Sequence, residues 1–70
     1  MKTNEITPRK YVSKMIRVFE ATRRSADPAM WQEGVGLLET YLSTSLGLGR
    51  IPIETARDLR QRIYDLRGEQ

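Results

Sequence analysis

Residues 27–49, DPAMWQEGVGLLETYLSTSLGLG, hold the longest helical pattern in the chain and set the reading of the rest. Asp27 can accept hydrogen bonds from the free amides of a first helical turn, and Pro28 at the first helical position lacks only an amide that would be unpaired anyway. At the far end Gly47 is placed to take the left-handed conformation that closes a helix, with Leu48 folding back on the last turn as in a Schellman motif. A rotation of about 100° per residue puts Trp31, Val35, Leu38, Leu42 and Leu46 on one stripe and Met30, Leu37 and Tyr41 on an adjacent one. The two stripes together cover roughly half the circumference, wider than a surface helix requires. This spacing predicts a helix over 28–46 held between two neighbours. Gly34 lies between the stripes, where a glycine inside a helix costs about 1 kcal/mol against alanine and suggests close approach of another backbone. Gly36 points to the polar side, and no physical reason for it is legible in the sequence.

On the N-terminal side, Thr7 and Pro8 repeat the cap-plus-proline start. The run to about residue 25 places Val12, Met15, Ile16, Phe19 and Ala26 on one face, flanked by Tyr11 and Val18. Thr22 is the polar side chain on that face, small enough to bond back to a carbonyl of the preceding turn. Residues 1–6 are polar apart from Met1 and Ile6 and are expected to be flexible, with Ile6 able to staple onto the first turn. On the C-terminal side a third helix is predicted over 52–67, where Ala56, Leu59, Ile63 and Leu66 form the apolar seam and Ile53 and Tyr64 widen it. The short connection at Ser25 and Ala26 favours antiparallel neighbours. The expected fold is therefore all-α: residues 1–70 as a single three-helix domain with the central helix packed between the other two.

Seventy residues lie near the lower limit for a single core without staples, and with no cysteine neither disulfides nor thiolate metal sites can help. Part of the central and third helices shared in a homodimer would relieve that shortage. The start MKTNEI has no apolar run behind its lysine, and no window approaches the ~18 apolar residues of a membrane span. The expectation is a protein of the cytoplasm that does not enter a membrane.

Catalysis has little to work with, because the chain contains no histidine and no cysteine. Ser43, Thr44 and Ser45 cluster near the end of the second helix without a base spaced to activate them, so the reading is a non-enzyme. Glu54, Asp58 and Asp65 share one face of the third helix and could hold a hard cation. Favourable pairing of Asp58 with Arg62, and Arg57 beside Glu54, reads better as a solvated ionic face, so no metal or cofactor site is assigned. Gly47-Leu48-Gly49-Arg50 closes a helix rather than opening one after a strand, which argues against a phosphate-cradling loop.

Charge is the remaining guide. The formal net charge of +3 is unevenly spread: residues 9–24 set six cations against Glu20, whereas the central stretch carries only Asp27, Glu33 and Glu39. Lys10, Lys14, Arg17 and Arg24 fall within about 80° on a helical wheel, a narrow basic stripe suited to an acidic partner. Trp31 and Tyr41 are candidate apolar anchors, since aromatics are enriched at binding hot spots, although aromatics at helical spacing are more often core. These features support a small protein-binding regulator, adaptor or inhibitor acting through helical surfaces. The alternative is nucleic-acid binding, with the basic stripe on phosphates. Residues 38–63, two helices joined around glycine and running into IETARDLRQRI, loosely resemble a helix-turn-helix, but the exposed side of that last helix is nearly neutral.

Overall fold

The computed structural model describes residues 7–68, so the expectations for residues 1–6 lie outside the described residues. Three helices follow one another: α1 (Pro8–Thr22), α2 (Pro28–Gly47) and α3 (Ile53–Gly68). Each helix packs against the other two. The chain is an all-α three-helix domain.

Both proline starts are formed as the side chains require. Thr7 Oγ1 accepts from the Lys10 amide at 3.3 Å, and the Asp27 carboxylate accepts from the Met30 amide at 3.1 Å, each satisfying one orphan donor of a first turn. At the start of α3 the Pro52 carbonyl accepts from the Ala56 amide at 2.9 Å, so Pro52 stands just before the helix rather than in it.

The first helix ends about three residues earlier than its sequence pattern predicts. The Thr22 carbonyl receives the amides of both Ser25 and Ala26 and also the Ser25 hydroxyl, which tightens the chain into a turn. Asp27 must then be extended, with φ −60° and ψ 125°, because the residue before a proline is pushed out of the helical region. Thr22 itself donates its hydroxyl to the Val18 carbonyl at 2.8 Å, the back-bond expected of it.

The end of α2 corrects another expectation. Gly47 remains helical, and the glycine with positive φ is Gly49, at +73°. The Gly49 amide donates to the Leu46 carbonyl and the Arg50 amide to the Ser45 carbonyl, the paired bonds of a Schellman motif set two residues further along. Leu48 consequently points to solvent, and the residue that returns to the core is Ile51.

The core is built from Val12 and Ile16 of α1, Trp31, Val35, Leu38 and Leu42 of α2, Ile51, and Ala56, Leu59, Ile63 and Leu66 of α3. Met15, Phe19, Ala26 and Leu46 pack against it. Trp31 donates its indole N–H to the Phe19 carbonyl at 2.9 Å, and the two rings meet edge to face with centroids 6.1 Å apart. Gly34 makes room for that same Phe19 ring, not for a neighbouring backbone: a Cβ there would stand 2.9 Å from two ring carbons. Ser45, unmarked as core in the sequence, is buried with the stripe, and no buried side-chain polar atom among the described residues lacks a partner.

α2 packs against both neighbours as expected, but its second stripe stays largely outside the core. Met30 is 71% and Leu37 66% exposed, and Tyr41, at 38%, meets Tyr11 edge to face, ring centroids 4.9 Å apart. The reason is geometric. With α1 and α3 also touching each other, all three helices face one common core, and a single stripe of each is enough to fill it. Polar bonds tie α2 to α3 along the rim, from Arg60 to the Ser43 hydroxyl at 3.2 Å and from Arg67 to the Glu39 carboxylate at 2.5 Å.

Candidate functional site

The basic stripe of α1 lies along one wall of a groove. Because α1 and α3 pack side by side, a valley of about 610 Å³ opens between them, with Arg9, Lys10, Lys14 and Arg17 on the α1 wall and Asp58 and Arg62 on the α3 wall. Val18, Ala21 and Leu59 supply its apolar lining, and Ser13 and Thr55 its small polar positions. Five cationic side chains thus surround one carboxylate. In water such charges attract weakly one by one, but gathered around a concave surface they act together on an approaching anion.

Of the residues singled out in the sequence, the structure brings Lys10, Lys14 and Arg17 together in this groove. Arg24 is not among its residues. Since α1 stops at Thr22, Arg24 sits in the following turn and leaves the helical register that grouped it with the others. Trp31 is only 4% exposed and engaged with Phe19, so it serves the core and offers a partner no surface. Tyr41 is half-exposed beside Tyr11, away from the groove.

Arg9 and Arg62 are the groove residues that sequence reasoning did not group with the stripe. Arg9 lies about 80° from Arg17 on the helical wheel, outside the stripe, yet lines the same groove. Arg62 belongs to another helix, and no pattern within either helix reveals how the two are rotated against each other. The expected Asp58–Arg62 ion pair is not formed among the described residues; both side chains open onto the groove instead. Asp65, the carboxylate about two turns beyond Asp58, accepts from Gln61 at 3.0 Å.

The remaining sequence candidates separate in space. Ser43 is bonded to Arg60, Ser45 is buried and Thr44 is exposed, so these three hydroxyls do not converge. Among the described residues no group of three or more acidic side chains is placed to hold a metal ion. No helix among them is long and apolar enough to cross a membrane. A homodimer through α2 and α3 would have to cover Met30, Leu37 and Tyr41 on the former and Ile53 and Tyr64 on the latter, the large apolar side chains those helices leave outside the core. Comparison of the chain with protein-family models, with curated proteins and with solved structures finds no match in any of the three.

Proposed function

We propose that this protein is a non-enzymatic binding module that regulates or adapts another protein by holding an acidic segment of it in the groove between α1 and α3. The observation that carries the reading is the gathering of Arg9, Lys10, Lys14, Arg17 and Arg62 around an apolar lining, with Asp58 as the sole carboxylate there among the described residues. Cations alone would suit a phosphate backbone as well. The apolar lining favours a polypeptide, because a phosphodiester chain brings no aliphatic group to cover the exposed Val18 and Ala21, whereas carboxylates interspersed with aliphatic side chains satisfy both parts of the groove.

Nucleic-acid binding stands as the second reading on the strength of the same five cations. An amide NMR titration separates the two, using an acidic polypeptide and a mixed-sequence DNA duplex in parallel, first at low salt and then near 0.15 M. Shifts centred on residues 9–21 and 55–62 that persist at the higher salt with the polypeptide, and vanish with DNA, are the expected result. Persistence with DNA instead would move nucleic acid into first place. Absence of shifts with either ligand would reduce the groove to a solvated face.

A further inference from the structure

The form of the partner can be read from the walls of the groove. We infer that the segment held there is an amphipathic acidic α-helix, docked between α1 and α3 as a fourth helix; this rests on the protein-binding reading of the groove. Both walls are α-helical, so their backbone amides and carbonyls are engaged within the helices themselves. An extended peptide finds no strand edge here, and the backbone groups it laid over the apolar lining would lose water without gaining partners. A helix satisfies its own backbone and presents only side chains.

The placement of groups agrees with that form. Lys10, Lys14 and Arg17 recur at i, i+4 and i+7 and so extend for about 10 Å along the rim of α1. A helix lying alongside, with carboxylates at the same intervals, keeps them in step with these cations because both rows share one rise and one turn. Its apolar ridge then enters the valley, where Val18 is 40% exposed and Leu59, at 4%, closes the bottom, while Ser13 and Ala21 are short enough to let a neighbouring helix approach. Arg62 reaches the same occupant from the other wall, and Asp58 beside it penalises a carboxylate at that point. The partner helix is therefore acidic along its α1-facing edge and neutral or basic where it passes Asp58.

The test uses the full chain and three fluorescent peptides of about 18 residues, long enough for measurable helicity. One carries glutamates at i, i+4 and i+7 bordering a leucine ridge; the second has the same composition permuted so that the glutamates and leucines share no face; the third is the first with a central proline. Binding is followed by anisotropy, and helicity of the bound peptide by circular dichroism. The expected result is that the first peptide binds at least about tenfold more tightly than the other two and gains helix on binding. Lys14→Glu with Arg17→Glu should abolish that preference, and Asp58→Asn should strengthen binding, a gain that misfolding cannot mimic. Equal affinity for all three peptides overturns the helical partner while leaving an acidic ligand in the groove, and Asp58→Asn without effect overturns it by placing the ligand outside the groove. No binding of any peptide to the wild-type chain overturns the groove reading together with it.

Discussion

Gly34 and Gly36 are two residues apart on α2 and have opposite meanings. At Gly34 the missing Cβ is what lets the Phe19 ring lie across α2, perpendicular to the Trp31 ring. A methyl group there must push the ring off its place, and such overpacking costs about 1–3 kcal/mol. At Gly36 a Cβ would meet nothing within 4 Å. We therefore expect Gly36→Ala to stabilise the protein by about 0.5–1 kcal/mol through helix propensity, and Gly34→Ala to destabilise it by about 1 kcal/mol once that same gain is subtracted from the clash. Urea unfolding of the two variants beside the wild type decides the matter; equal stabilisation by both would mean that Phe19 is not held where the structure shows it.

Helix ends, unlike helix interiors, are decided by one or two backbone positions, and the turn from α2 to α3 shows this. Gly49 alone among the described residues has positive φ, so Gly49→Ala should cost about 1–2 kcal/mol, the penalty of a left-handed L-residue. Gly47→Ala lies inside α2 with open space around it and should be neutral or slightly stabilising. The apolar neighbours divide in the same way. Ile51 is buried in the core and Leu48 is exposed, so Ile51→Ala is expected to lose about 2–4 kcal/mol while Leu48→Ala stays within about 0.5 kcal/mol of the wild type. Thermal unfolding of the four variants checks the assignment, and a larger loss for the Gly47 and Leu48 changes than for Gly49 and Ile51 would restore the helix end anticipated from the sequence.

Two surfaces distinguish the assembled domain. One is the α1–α3 groove; the other is the exposed strip of Met30 and Leu37 beside the Tyr11–Tyr41 contact on α1 and α2. Self-association through α2 would cover this strip. Leu37→Glu should hardly change stability, because the side chain is 66% exposed, yet it places a charge in the middle of the strip. If the strip is a contact between copies, sedimentation equilibrium at high micromolar concentration gives a dimer for the wild type and a monomer for Leu37→Glu. A wild-type monomer would retire self-association, and a variant that still dimerises would move the contact elsewhere. Peptide binding in the groove should survive the Leu37 change, since the groove is formed by α1 and α3 alone.

Three helices, their proline starts and nearly all of the core could be read in advance, because caps and the 3.6-residue period act within a few residues of chain. Thr7–Pro8, Asp27–Pro28 and the stripes through Ile16, Leu42 and Ile63 are of that kind. So was the basic row Lys10, Lys14 and Arg17, which depends only on the winding of α1. Its joining with Arg62, the loss of Arg24 from the row and the exposure of Met30 and Leu37 depend instead on how whole helices are rotated and where each one stops. Those choices are made by packing between residues distant in sequence, where side-chain volumes such as Phe19 over Gly34 select one arrangement among several that the local pattern allows equally.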